Sequence, residues 1–259
     1  MLRIYKRSCL ALCSILWLGT VTTWAQKPLQ KEEKAKLDDC YRVVGKDSVV
    51  FFYSADYVLT PPGCAAIRRH IRLDSAGHFW GYVRDYKLSN NKPLLQGAYR
   101  EGLMEGPFEV YHDTGELAAR GNYRKGQQVG DWAYWYPSGR KRQVLSFRNG
   151  LDPLVQQFWD EAGQQLVKDG NGTWYRQEDG MQLSGAVVGG IPDGRWQLRR
   201  INDEHLVARE NFVKGNFRNG VLIDQMYAYR DQSRFSVADW EQYRAAEKYS
   251  IGTPCSSGK

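Results

Sequence analysis

Residues 97–150 read GAYREGLMEGPFEVYHDTGELAARGNYRKGQQVGDWAYWYPSGRKRQVLSFRNG, and this stretch repeats itself every 24 residues. Aromatic, arginine and glycine residues recur at fixed positions of the repeat. The residues that stand one period apart include Tyr99, Tyr123 and Phe147; Arg100, Arg124 and Arg148; Gly102, Gly126 and Gly150; Phe108 and Trp132; Tyr111, Trp135 and Trp159; and Gly115, Gly139 and Gly163. A fixed period of this length is typical of architectures built from one repeated supersecondary unit.

Each repeat unit holds two segments of about eight residues, and a glycine ends each of them. Gly115, for example, follows the turn-forming pair Asp113-Thr114. Glycine supplies the positive φ that tight hairpin turns require. We therefore predict that each unit is one β-hairpin. Stacked hairpins would place a ring from each unit beside its neighbour, giving an aromatic ladder that stabilises the array.

The two aromatic positions of the unit, Phe108 and Tyr111 after Gly106, have opposite parity along the strand. A flat strand would direct them to opposite faces of the sheet. Either the strand bends between them or both faces carry rings, and the sequence leaves both possibilities open.

The register of the repeat extends outward to about six units between residues 81 and 220, with degenerate units at both ends. One residue is inserted near Asn90-Asn91, and one strand is cut short at Gly170. We predict a mainly β fold, an elongated single-layer antiparallel sheet of stacked β-hairpins followed by a C-terminal helix. The aromatic content of 13% agrees with this prediction, because aromatic side chains favour pleated surfaces.

This pattern resembles the bacterial variant of the MORN repeat, whose hairpin units read Gly-x-Tyr/Trp-x-x-Tyr/Phe-x-x-x-Gly. The residues that carry the resemblance are Gly106, Phe108, Tyr111 and Gly115, then Gly130, Trp132, Trp135 and Gly139. The resemblance covers residues 81–220, more than half of the chain. It implies a sheet used for contacts with proteins or surfaces. Many members of that family are labelled as the antitoxin component of a toxin–antitoxin system, a cytoplasmic role.

The N-terminus has the layout of a secretory signal peptide. A basic head with Arg3, Lys6 and Arg7 precedes an apolar run over residues 8–21, and Thr23-Trp24-Ala25 offers small residues at the positions that a signal peptidase reads. We predict removal of residues 1–25 and export to the periplasm or cell surface, or secretion. The apolar run is short for a membrane span, so we expect no transmembrane segment in the mature chain.

The segments that flank the repeats are less regular. Residues 26–77 are expected to form an N-terminal α+β segment, in which residues 65–73 could be either a short helix or a strand. The repeat domain should occupy residues 78–220. A closing strand and a capping helix are predicted over residues 221–250, because Val237, Trp240 and Tyr243 recur at helical spacing. Residues 251–259 have the composition of a disordered tail.

Three cysteines remain after removal of the signal peptide, namely Cys40, Cys64 and Cys255. Cys40 and Cys64 flank one short segment, so a Cys40–Cys64 disulfide is a candidate in an exported protein. The alternative is that all three are free thiols. The sequence contains no C-x-x-C pair, which argues against a zinc ribbon or a dithiol redox motif.

The arginines at one position of the repeat, Arg100, Arg124 and Arg148, are the main candidates for a binding function. In register they form a row beside the aromatic ladder. They could support neighbouring rings through cation–π contacts. Alternatively, they form a basic stripe for an acidic polymer, a lipid headgroup or a protein partner. The tryptophans Trp132, Trp135 and Trp159 are candidates for a glycan-binding surface.

The sequence contains no recognisable catalytic motif. The four histidines lack the spacing of metal ligands, and there is neither a P-loop nor a nucleophile elbow. The net charge of +7 includes three basic residues of the predicted signal peptide, so nucleic-acid binding is not expected. We predict a non-enzymatic exported repeat protein without catalytic residues, metal or cofactor. It would serve as a protein- or surface-binding scaffold in the cell envelope. The alternatives are an antitoxin-like neutraliser of a partner protein and a glycan-binding module.

Overall fold

The computed structural model describes residues 36–148 and 153–223, which form one open antiparallel sheet. The sheet has 16 strands, and each strand pairs with the next one in the sequence. The predicted mainly β fold of stacked hairpins is confirmed. The strands are β1 (Tyr41–Val43), β2 (Ser48–Tyr53), β3 (Ile67–Leu73), β4 (Phe79–Lys87), β5 (Pro93–Arg100), β6 (Leu103–Tyr111), β7 (Leu117–Arg124), β8 (Gln127–Trp135), β9 (Lys141–Phe147), β10 (Leu154–Trp159), β11 (Gln165–Lys168), β12 (Asn171–Glu178), β13 (Met181–Val188), β14 (Ile191–Arg200), β15 (Leu206–Val213) and β16 (Asn216–Leu222).

The described part of the N-terminal segment belongs to the same sheet as the repeats. Residues 65–73, left open between helix and strand, contribute β3, which pairs with β4. The charged segment before the sheet contributes one turn of 3-10 helix at Leu37–Cys40, and a second such turn spans Pro62–Cys64. The sheet therefore extends three strands to the N-terminal side of the predicted repeat boundary at residue 78.

Several predicted segments lie outside the described residues. These are the signal peptide, the C-terminal helix, the tail and most of the closing strand, of which only the beginning falls within β16. Within residues 36–148 and 153–223, no helix has the length and apolar character needed to cross a bilayer.

Two-residue type I′ turns explain one set of the periodic glycines. Lys125 and Gly126 connect β7 to β8 with φ values of +50° and +77°. Positive φ at both central residues defines this turn, whose twist matches that of the flanking strands. The same arrangement recurs at Glu101-Gly102, Asp169-Gly170, Asp179-Gly180, Gly189-Gly190 and Lys214-Gly215.

The turns at the other ends of the central hairpins are longer and tie each unit to the next. The ring nitrogen Nε2 of His112 lies 2.9 Å from the carbonyl oxygen of Trp135. One period later, the Tyr136 hydroxyl donates to the carbonyl of Trp159, also at 2.9 Å. Equivalent side chains therefore make equivalent contacts one unit apart.

One face of the sheet carries an aromatic core, which confirms the predicted ladder. The first run contains Tyr41, Phe51, Phe79, Tyr99, Phe108, Tyr123, Trp132 and Phe147, with neighbouring ring centroids 4.9–6.3 Å apart. A second run contains Phe158, Trp174, Trp196, Phe212 and Phe217 at 5.8–6.0 Å. Each contact of this kind contributes about 0.5–1.5 kcal/mol beyond the burial of area.

The two aromatic positions of the unit lie on opposite faces. Phe108 and Trp132 are buried in the core, whereas Tyr111 and Trp135 have the opposite strand parity and are half-buried. The possibility that both faces carry rings is thus the correct one. We call the face opposite the aromatic core the outer face.

The core rings lie directly over glycines of the preceding strand. A Cβ atom added at Gly121 would lie 2.2 Å from the Trp132 ring, too close for any real contact. The indole Nε1 of Trp132 donates to the carbonyl of Asn122 at 3.1 Å. Trp196 repeats this arrangement over Gly185. Glycine is therefore required at these strand positions because the ring of the next strand occupies the space of a side chain.

A buried ion pair anchors the N-terminal end of the core. The Arg69 guanidinium makes two hydrogen bonds to the Asp85 carboxylate, at 2.8 and 2.7 Å, and both side chains are fully buried. Four rings surround the guanidinium carbon at 5.5–6.0 Å, those of Tyr53, Tyr57, Phe79 and Tyr99. Cation–π contacts and the bidentate carboxylate together compensate for the loss of water around this charge.

The predicted Cys40–Cys64 disulfide is wrong. Cys40 is a free, buried thiol whose Sγ donates to the carbonyl of Lys36 at 3.4 Å, and burial raises the pKa of this thiol. Cys64 is disulfide-bonded, but not to Cys40. The two cysteines precede β1 and β3, which lie on opposite sides of β2. Two strand spacings amount to about 10 Å, beyond the reach of a disulfide.

Candidate functional site

The three arginines predicted as a row lie on the outer face, on the side of the sheet where β5, β7 and β9 end. Arg100 ends β5, Arg124 ends β7 and Arg148 follows β9. All three are exposed. Because successive members are two strands apart, their Cα atoms repeat at about 10 Å along the sheet. We call Arg100, Arg124 and Arg148 the arginine row.

The arginine row does not provide cation–π support to the aromatic ladder. Within the described part of the chain, none of the three side chains makes a hydrogen bond, an ion pair or a ring contact. The reason is strand parity, since each arginine directly follows an aromatic residue that faces the core. Tyr99, for example, is 3% exposed, whereas Arg100 is exposed on the outer face.

Backbone contacts between neighbouring units fix the turn that follows Arg124. The Gly126 N–H donates to the carbonyl of Met104 at 2.9 Å. The Lys125 N–H donates to the Glu105 carboxylate at 2.8 Å. Hydrogen bonds from both central residues therefore tie this type I′ turn, which directly follows Arg124, to β6.

Exposed apolar side chains flank the Arg100 end of the row. Leu103 is 47% exposed and pairs with Arg100 across the turn. Trp80, 43% exposed, lies on the neighbouring strand next to Gly81, which pairs with Tyr99. Arginine and tryptophan are among the residue types enriched in protein-interface hot spots.

A second arginine–aromatic cluster occupies the outer face of β3 and β4. The Arg72 guanidinium lies 4.9 Å from the Trp80 ring, and that of Arg84 lies 5.0 Å from the ring of Tyr82. Burial and the charge of Arg68 lower the pKa of His70, which lines a hollow of about 310 Å³ beside Tyr82. The sequence analysis did not identify this cluster. The usable signal is a period of two in both strands, with basic residues at Arg68, His70 and Arg72 in β3 and mostly aromatic residues from Trp80 to Tyr86 in β4.

A saturated polar network lies on the outer face of β5, β6 and β7. The Tyr111 hydroxyl donates to Glu109 at 2.6 Å, Gln96 also donates to that carboxylate, and Arg120 Nε donates to it at 2.8 Å. The Tyr111 hydrogen bond, followed by those from Gln96 and Arg120, lowers the pKa of Glu109 despite partial burial. The hydrogen-bonding groups of these side chains are paired with one another, so we assign them a structural role.

The substitution Glu109→Gln is expected to flatten the acid dependence of stability. A carboxyl whose pKa is lowered in the native state stabilises the fold above its unfolded pKa, and this contribution is lost as the pH falls. The wild type should therefore lose about 1 kcal/mol more than the variant between pH 6 and pH 3. Urea unfolding monitored by tryptophan fluorescence at several pH values measures the difference. Parallel pH profiles for the two proteins would contradict the structural role.

The three predicted tryptophans do not form one exposed platform. Trp132 is completely buried in the core and is unavailable to a ligand. Trp135 and Trp159 are half-buried on the outer face, where the Lys141 ammonium lies 5.1 Å from the Trp159 ring. The prediction of Trp132 as a glycan contact is therefore wrong, because its ring fills the space above Gly121.

The described residues hold no group of three or more histidine, cysteine or acidic side chains placed to bind a metal ion. The chemistry that their outer face offers is recognition by exposed arginines and aromatic rings. No protein-family model matches the chain, and no curated protein matches it in sequence.

Proposed function

We propose that this protein is a non-enzymatic, exported scaffold of the cell envelope that docks an acidic partner protein on the arginine row. The observation that carries the proposal is that three exposed, evenly spaced arginines have no partner among the described residues. The row supports binding rather than catalysis because its guanidinium groups stand open to solvent. Catalytic groups are usually held in enclosed sites with strongly shifted pKa values.

The chemistry of arginine favours a carboxylate-bearing partner. The planar guanidinium binds carboxylates in a bidentate manner, and such charge-assisted pairs are stronger than neutral hydrogen bonds. Trp80 and Leu103 add apolar surface at one end of the row, which a protein partner can bury. The MORN-like repeat further supports a scaffold, because that resemblance implies contacts with proteins or surfaces.

Export is the part of the proposal that rests on residues 1–25. A basic head, an apolar run and small residues before Gln26 support cleavage by a signal peptidase. N-terminal sequencing of the protein from the envelope or periplasmic fraction of the native host tests this. A mature N-terminus near residue 26 supports export, whereas intact protein confined to the cytosol contradicts it.

A matched pair of charge-reversal variants tests the docking surface. The triple variant Arg100→Glu, Arg124→Glu and Arg148→Glu reverses the row. The control variant Arg195→Glu, Arg209→Glu and Arg218→Glu makes the same charge change at three exposed arginines of the last strands. Each protein carries an affinity tag and is crosslinked in living cells of the native host before capture.

We expect one acidic envelope protein to be recovered with the wild type and the control variant, and its yield to fall by at least about tenfold with the row variant. Exposed charges at an interface also increase the rate of association, and salt screens them. Capture by the wild type should therefore weaken as the salt concentration increases. Equal recovery with both variants, or none with the wild type, would overturn the proposal.

A further inference from the structure

A groove of about 860 Å³ crosses the outer face between β7 and β10, next to the arginine row. Its floor is formed by small residues, Gly121, Ala133 and Val144. Gly121 contributes only backbone to this floor, because a Cβ there would point to the core face, into the Trp132 ring. On the outer face the side chains of Ala133 and Val144 are small, which leaves the groove open.

Three polar side chains at this groove have no hydrogen-bond partner among the described residues. Asn122, Asp131 and Gln157 line it, and none of their side chains makes a hydrogen bond within residues 36–148 and 153–223. On the same face, by contrast, the Glu109 carboxylate accepts three hydrogen bonds from other side chains. Unpaired amide and carboxylate groups that converge on a concave surface are the features that fix a ligand in a pocket.

The charges around the groove are balanced. Asp131 and Asp169 provide two negative charges, and Arg120 and Lys141 provide two positive charges. Arg120 is already paired with Glu109, and Lys141 lies against the Trp159 ring. The groove therefore offers hydrogen-bond donors and acceptors without a strong preference for an anion or a cation.

We propose that this groove binds a neutral oligosaccharide. Amide and carboxylate groups can donate to and accept from the many hydroxyl groups of a sugar chain. Lys141 connects the groove to Trp135, its partner across the strands, and to the ring of Trp159. Half-buried aromatic rings of this kind offer apolar surface for the C–H face of a sugar ring.

An extended peptide fits the groove less well than a sugar chain does. Peptides that add to a sheet use free backbone groups at a strand edge. Strands β7 to β10 lie in the interior of the sheet, where both edges of each strand are already paired. Recognition here must come from side chains, and those present are polar.

This inference goes beyond the docking of a protein partner and uses different residues. The groove is lined by Asn122, Asp131 and Gln157, whereas the proposed docking surface consists of the arginine row. The two proposals can therefore fail separately.

Calorimetric titration of the protein as purified from the host, after its own processing, tests the inference. The probes are three neutral hexasaccharides, made of β-1,4-glucose, β-1,4-N-acetylglucosamine and α-1,4-glucose. A hexamer of galacturonic acid and an uncharged hexapeptide serve as comparison ligands. The groove variant is Asn122→Ala with Gln157→Ala. The control is Gln177→Ala with Gln182→Ala, which removes an amide pair bonded at 2.8 Å on β12 and β13.

We expect at least one neutral hexasaccharide to bind the wild type and the control alike, and to bind the groove variant about tenfold more weakly. Ala133→Tyr, which fills the floor, should abolish binding, while thermal unfolding verifies that each variant is folded. The arginine-row variant should retain sugar binding. The inference is overturned if no neutral hexasaccharide binds, if only the acidic sugar or the peptide binds, or if the groove and filled variants bind as the wild type does.

Discussion

The variant Asp85→Asn should lower the free energy of unfolding by about 3–5 kcal/mol, because it leaves the Arg69 charge buried without its counter-ion. Asparagine has nearly the same shape as aspartate, so packing is preserved and the charge is the main change. The surrounding rings of Tyr53 and Phe79 cannot replace a carboxylate that accepts two hydrogen bonds from one guanidinium.

Urea unfolding of the two proteins measures this cost, with Asp47→Asn as the matched control. Asp47 also pairs with an arginine, Arg72, but both side chains are substantially exposed, at 39% and 49%. Exposed pairs contribute about 0–1 kcal/mol. Similar losses for the two variants would contradict the assignment of Arg69 and Asp85 as a buried anchor. The double replacement Arg69→Met with Asp85→Leu should recover much of the stability, since it removes both charges.

Trp132→Ala is expected to cost about 3–5 kcal/mol, the range for deletion of a large buried ring. The ring is fully buried, lies 5.1 Å from Tyr123 and 6.3 Å from Phe147, and covers Gly121. Its removal exposes both neighbours of the ladder and leaves a cavity above a glycine that has no side chain to fill it.

Trp135→Ala is the control, because it removes the same side chain from the opposite face of the same strand. Trp135 is half-buried on the outer face, so its loss should cost less than half as much. Thermal and urea unfolding of both variants make the comparison. Equal losses would show that the two faces have been assigned incorrectly.

The architecture could be predicted from the sequence because its signals are local and repeated. Gly126 marks a two-residue turn and Gly139 a longer one, and turn chemistry depends on only a few neighbouring residues. The period then places each hairpin beside the next. The need for glycine at Gly121 was not predictable in this way, since it depends on how the Trp132 ring of the following strand lies across it.

The candidate site was predicted only in part. The arginine row follows from the period, but its lack of partners follows from strand parity, which sets Arg100 and Tyr99 on opposite faces. The buried pair of Arg69 and Asp85 depends on the register between β3 and β4. The predicted disulfide of Cys40 with Cys64 was wrong because it was based on their closeness in the sequence. In the fold, strand β2 lies between the strands that follow the two cysteines.

The most direct test of the arginine row as a docking surface is site-specific photo-crosslinking in living cells of the native host. A photoreactive residue replaces either Leu103, beside Arg100, or Val213 near the end of the sheet, and the native side chains are 47% and 44% exposed. We predict that position 103 gives a covalent adduct with an acidic envelope protein, that position 213 does not, and that charge reversal of the arginine row abolishes the adduct. Equal adducts at both positions, or an adduct at position 103 that persists after charge reversal, would contradict the account.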